Sequence, residues 1–312
     1  YGRKHKITDL SHWRLSFQKT EKDWWWFLDE PVDFPDNNPI SEIISATFVL
    51  IGGVLFADVI KKLWDTNSDP YSIFWAILVL LFTASPFIKR FREVIGFLLK
   101  KTRSTSYRQN QLMVILSIVV LTTAIATRFI YLPIRAQEEN KSGVQAAATG
   151  NLQQAREHLD AAVAIDSKYT AAYYNLANVY ESIGETEKAI SLYETVIEQK
   201  NSMVPAYINL GRLLIEKEEE KRAITVLNAG YRSLESTPLD KKDELEYKLL
   251  SYMGLAYYEQ KENIMAEYKF MQAIAVEGKL PTELKIALPH YYLALLLEDK
   301  GELKGALDNF ES

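Results

Sequence analysis

The chain has 312 residues, with 36 Lys/Arg against 41 Asp/Glu and no cysteine, so two domains fit, and a disulfide framework, a thiolate nucleophile and a cysteine-based metal site are excluded. The charge is unevenly divided: residues 1–135 hold 17 basic and 12 acidic side chains, residues 136–312 hold 19 and 29. The acidic half would repel phosphates, which excludes nucleic acid as a partner, and the asymmetry points to two regions in different surroundings.

Residues 1–39 form a leader in which no apolar run follows Arg3, Lys4 and Lys6, so it does not read as a signal peptide. Its Trp24, Trp25 and Trp26 precede Phe27 and a Pro- and Asp-rich stretch. Tryptophan favours the headgroup layer, where the ring is half apolar and its N–H stays wet, so the three are expected to anchor at a membrane interface or meet a membrane partner.

Three apolar stretches follow within 40–135, at 43–60, 71–88 and 112–134. At ~1.5 Å per helical residue each is long enough for a hydrocarbon core of ~30 Å, which predicts a transmembrane region of three helices. The segment 91–101 is too short to span; it either lies along the lipid surface or packs as a loop helix on the bundle. Six basic residues lie in the leader, two in the first loop (Lys61, Lys62) and seven between Lys89 and Arg108. With three spans, the positive-inside rule puts the N-terminus and second loop in the cytoplasm and everything after residue 135 on the other side. The charges Asp58 and Arg128 stand near span ends, which favours snorkelling to the interface over an ion path. Gly52 and Gly53 suit close helix packing.

Beyond residue 135 the pattern changes. Tyr173, Leu176 and Ala189 recur as Tyr207, Leu210 and Ala223, each 34 positions later. Apolar residues at Tyr173, Leu176, Ala177 and Tyr180 mark one face of a helix, and Gly184 opens a turn before a second helix. These residues resemble the tetratricopeptide repeat: Tyr173 stands at its Trp position, Leu176-Ala177 at Leu-Gly, Tyr180 at Tyr, Ala189 at Ala and Tyr193 at Phe. A further unit matches through Tyr207, Leu210, Gly211, Ala223 and Leu227, and another through Met253, Gly254, Tyr257, Ala266, Phe270 and Ala273. A weaker match runs through Gly143, Gly150, Ala155, Leu159 and Ala162, and a last unit, cut short, through Leu293, Ala294, Leu297, Gly301, Ala306 and Phe310.

The resemblance implies an all-α chain in which a solenoid of about five helix pairs occupies 136–312, its last unit cut short. Extra residues within 233–246 and near 278–285 are expected to loosen the register and protrude from the surface. Tyr1 in place of Met, and an end inside a repeat, lead us to expect a longer protein.

In this family the first helix of each unit lines a concave groove. Carried over position by position, the resemblance places Val144, Tyr174, Asn178, Ile208, Arg212, Leu255, Tyr258, Tyr291 and Leu295 on it. Their aromatic and aliphatic character suits an apolar peptide or helix. A subclass clamps a carboxylate with cations, but Tyr174 and Ile208 stand where a cation is expected, although Asn209 and Arg212 are present.

No catalytic or nucleotide-binding motif occurs, and His5, His12, His158 and His290 are far apart. His290 sits at a packed repeat position, and Glu216–Glu220 reads as a solvated helix end. No enzyme activity, cofactor or metal is expected. The whole reads as a membrane-anchored adaptor that recruits or assembles subunits of a membrane protein complex, with a protein partner and the lipid bilayer as its contacts. A bacterial inner membrane or thylakoid-type membrane is favoured, with the repeats on the non-cytoplasmic side. An accessory subunit of a transporter or channel, or a fragment of a larger enzyme or sensor, remains open as an alternative.

Overall fold

The computed structural model describes residues 39–65, 106–236 and 238–310. Trp24, Trp25 and Trp26, the stretch 71–88 and the segment 91–101 lie outside the described residues. Among the described residues there is no β-strand.

Two long apolar helices come first. α1 (Pro39–Asp65) contains the first apolar stretch. α2 (Ser106–Ala126) contains most of the third, and its backbone does not stop at the end of that stretch. It passes through a π-turn (Thr127–Tyr131) into α3 (Leu132–Ala148), the first helix of the repeat region. Pro133 explains the turn. It has no N–H to give the carbonyl four residues back, and its ring crowds that carbonyl, so the helix widens locally. The Leu132 amide accordingly bonds the Thr127 carbonyl, five residues back.

The repeat region continues with α4 (Leu152–Ile165), α5 (Thr170–Ile183), α6 (Thr186–Gln199), α7 (Val204–Glu216), α8 (Glu220–Ser233), α9 (Leu239–Glu259), α10 (Asn263–Glu277), α11 (Leu288–Asp299) and α12 (Leu303–Phe310). With α3 these make, among the described residues, five antiparallel pairs, each packed on its neighbours in chain order. The result is an α-solenoid. Local chemistry sets the ends of the helices: the Asn151 side chain accepts from the Gln154 amide to start α4, and Gly184, at φ 88°, closes α5 in a conformation costly for any residue with a Cβ.

Within the first four pairs a small residue admits a large one. A Cβ on Gly254 would lie 2.5 Å from the Phe270 ring, so the two helices approach as closely as glycine allows. Phe270 and Ala266 are fully buried there beside Leu293 and Leu296.

The extra residues are partly exposed and partly drawn into the packing. Those before the fourth pair lengthen α9 to 21 residues, against 14 in α5. Of their apolar members Leu245 is buried, four positions before buried Leu249 on the same helix, while Leu239 at the helix start is 86% exposed. The second joint folds back on the same helix. The Tyr247 hydroxyl donates to the Ile286 carbonyl at 2.7 Å and receives the Ile286 amide at 3.2 Å, while Leu280 and Ile286 cover its ring.

The first pair is covered by the end of α1. Val59 and Leu63 are buried against Leu132, Ala136 and Ile165, with Tyr169 packed alongside. Around this contact Arg128 Nε lies 3.0 Å from Asp58, and Lys62 donates to the Ile165 carbonyl at 3.2 Å. Asp58 and Arg128 thus pair with each other beside this contact.

Gly254→Ala is expected to lower stability by about 1–3 kcal/mol, because the added methyl must displace a buried ring. Gly278→Ala, where a Cβ meets nothing within 4 Å, should leave stability nearly unchanged. Thermal unfolding followed by circular dichroism compares them, and equal shifts would contradict the close-approach account.

Candidate protein-binding groove

In the second and third pairs residues at recurrent positions are joined by hydrogen bonds. Asn209 Nδ2, on α7, lies 3.1–3.2 Å from three oxygens: the Tyr174 hydroxyl, Asn178 Oδ1 and the Tyr193 hydroxyl. The Tyr193 hydroxyl also meets Asn178 Oδ1 at 2.5 Å and Glu181 at 3.0 Å. Glu181 pairs with Arg212, whose other arm reaches Glu216 at 2.5 Å. Toward the first pair, Asn175 donates to Asn140 at 2.8 Å.

Burial governs the electrostatics of this floor. It raises the pKa of Tyr193, an effect increased by Glu181 nearby, so the hydroxyl stays protonated and donates. Burial raises Tyr174 in the same sense. Burial of Arg212 opposes its charge, but Glu181 and Glu216 outweigh it and hold the guanidinium above its ordinary value.

Of the residues expected on the groove, Tyr174, Asn178, Ile208 and Arg212 come together here. Asn178 and Arg212 are engaged by neighbours in the network. Ile208 is only 5% exposed and belongs largely to the core. Leu255 and Tyr258 form a second group around Phe270 and Leu293. The rings of Tyr258 and Tyr292 meet edge-on at 4.9 Å, and Tyr291, 50% exposed, stands against Tyr292. Leu295 is half-buried and Val144, on the first pair, is exposed. Neither is joined to the α5–α7 network.

Sequence reasoning passed over the residues that complete the middle of the groove. Lys241 and Leu245, on the added turns of α9, and Lys248, just after them, border a cavity of about 300 Å³ with Tyr174, Ile208 and Asn209. The signal was the recurrence of Asn175 as Asn209 at the 34-residue period, and the i, i+7 spacing of the two lysines.

Two histidines lie among the described residues, each against a glutamate. His158 Nδ1 lies 2.8 Å from Glu139, and His290 lies 2.6 Å from Glu277 and 3.3 Å from Asn309. Among the described residues no group of three or more His, Asp or Glu could hold a metal ion.

Helix pairs stacked in chain order define a helical-repeat interaction module. The sequence profile of the tetratricopeptide repeat matches residues 146–201; that segment belongs to this family, and the third pair follows it at the same 34-residue spacing. Repeats of this family generally serve as non-catalytic adaptors. Among solved structures, pilF of Pseudomonas aeruginosa is 18% identical, with a TM-score of 0.49 over 58% of this chain and 75% of its own. MamA of Desulfovibrio magneticus RS-1 is 15% identical, with a TM-score of 0.47 over 57% of this chain and 92% of its own. A tetratricopeptide-repeat protein of Thermus thermophilus is 21% identical, with a TM-score of 0.42 over 56% of this chain and 88% of its own. No curated protein matches the chain.

Tyr174 and Tyr193 have folded-state pKa values above the ordinary 10.0. The stability they contribute is therefore fully present below about pH 10 and is lost as pH rises through their folded values. Tyr193→Phe should cost about 1–3 kcal/mol at neutral pH, since the one hydroxyl proton shared between Asn178 and Glu181 is lost together with an acceptor for the Asn209 amide. It should also flatten the alkaline decline in melting temperature. An alkaline slope unchanged by the substitution would show that Tyr193 is not the group responsible.

Proposed function

We propose that this chain is a membrane-anchored repeat adaptor whose groove holds a segment of a partner protein and so recruits or assembles subunits of a membrane complex. The observation that carries this reading is the unbroken backbone from the apolar α2 into α3, the first helix of the array. A tether of this kind sets an interaction module beside a bilayer without a free linker.

Membrane anchoring is supported by two helices long and apolar enough to cross, at Ile43–Leu63 and Val114–Ala148. In the second, the apolar composition ends near Ile134, and Glu138, Glu139 and Lys141 follow. Outward-facing apolar side chains support it too: Leu50 is 70% and Val54 71% exposed on α1, with Ile115, Val119, Phe129 and Ile130 exposed from α2 into the π-turn. Such surface is costly in water and costs nothing in hydrocarbon. The excess of Lys and Arg in the leader and in 89–108 favours those segments in the cytoplasm and the array on the opposite face. Protein binding is supported by exposed Tyr291 and half-buried Tyr174 and Tyr258 along the first helices, which offer large apolar contact area at little entropic cost.

A photo-crosslinking side chain placed at Tyr174 or Tyr291 in native membranes should give one discrete adduct with a membrane-complex subunit. The same group at exposed Glu157 on α4 should give none, and the chain should remain with the membrane through an alkaline wash. An identical adduct from Glu157 argues against the groove, and release into the wash argues against the anchor.

A further inference from the structure

On the reading that the groove holds a protein segment, we propose that the cavity between α5, α7 and the N-terminal half of α9 is a subsite for an acidic side chain, Asp or Glu, of that segment. The cavity holds about 300 Å³, room for one side chain and not for a folded element. Ile208 and Leu245 give it apolar walls, the Tyr174 hydroxyl and Asn209 line one side, and Lys241 and Lys248 stand on the other.

The charge balance selects the ligand. Glu244 also borders the cavity and pairs with Lys248 at 2.6 Å. Lys241 has no carboxylate partner among the described residues, so two ammonium groups face one carboxylate. Arg212, the groove's other cation nearby, is committed to Glu181 and Glu216. Within an array whose half of the chain carries 29 acidic against 19 basic residues, this is a cationic island. An acidic side chain is repelled along most of the surface and attracted here, which fixes the register of a bound segment. Tyr174 adds direction. Its oxygen receives the Asn209 amide at 3.2 Å, which orients the ring and leaves its own proton to donate to an incoming carboxylate.

Position argues for a side chain and not a chain terminus. The cavity draws on the second, third and fourth of five pairs, so a segment lying along the groove crosses it in mid-course. Lys241 belongs to the residues that lengthen α9, so the subsite is a property of this chain's insertion and not of the 34-residue unit.

The test uses the full chain in nanodiscs and three fluorescein-labelled peptides. One is C-terminally amidated Leu-Tyr-Leu-Glu-Leu-Tyr-Leu, the second replaces its Glu by Gln, and the third is the Gln peptide with a free C-terminal carboxylate. Fluorescence anisotropy is expected to show the Glu peptide binding roughly tenfold tighter than the amidated Gln peptide, with the difference shrinking at high salt. Lys241→Gln should abolish that difference, Lys241→Arg should keep it, and Tyr174→Phe should reduce it. Equal affinity for the Glu and Gln peptides overturns the subsite while the groove reading stands. Tighter binding of the free-carboxylate peptide than of the Glu peptide overturns the assignment to a side chain. Failure of all three to bind overturns the subsite and the groove reading together.

Discussion

The whole array depends on one contact, a small residue on the first helix of a pair received by a large one sixteen positions later on the second. It occurs as Gly143 with Leu159, Ala177 with Tyr193, Gly211 with Leu227, and Gly254 with Phe270. At the three glycines a Cβ would come within 2.5–2.6 Å of the facing side chain, so the helix axes are as near as side chains permit. That proximity buries the large residue and sets the crossing of the pair. Repeated along the chain, it turns a series of short helices, each marginal alone, into a continuous core.

The same contact builds the floor of the groove. Where the large residue is Tyr193, its ring fills the space that Leu or Phe fills elsewhere, and its hydroxyl emerges among Asn178, Glu181 and Asn209. A packing position thereby organises a polar network two pairs wide. Those groups satisfy one another through hydrogen bonds, while Tyr174 beside them and Tyr258 on α9 are half-buried and Tyr291 on α11 stays exposed. At its beginning the stack is closed by α1, whose Val59 and Leu63 supply the apolar cover that a preceding helix gives to every later pair.

Much of this was legible in sequence because it is periodic. The 34-residue recurrence of Tyr173, Leu176 and Ala189 defines the pairs, and Gly184 marks a turn that needs a left-handed residue. What escaped is aperiodic or depends on distant partners. Residue counting detects an insertion before Met253 but not that Leu245 and Leu249 continue a helix through it. Tyr193 at a Phe position reads as core, and only the fold shows that its hydroxyl reaches Asn178. Ile208 occupies a groove position by register, yet it sinks into the core beside Leu245, an inserted residue. Asp58 and Arg128 lie 70 positions apart, and their pairing depends on the packing of α1 against the start of the array, which span lengths do not reveal. The π-turn before Pro133 carries the helix past residue 135, where composition alone placed a boundary.

Function, on this account, follows from a groove carried on a stack that is seated on the end of an apolar helix rather than hung from a linker. The most direct measurement is the distance between spin labels at Lys61 on α1 and Glu157 on α4, in the full chain in nanodiscs, by double electron–electron resonance. The account predicts a single narrow distribution, which broadens when Leu63→Ala removes part of the buried contact. A broad distribution in the unmutated chain would contradict it, because the first pair would then move freely against the helix said to seat it.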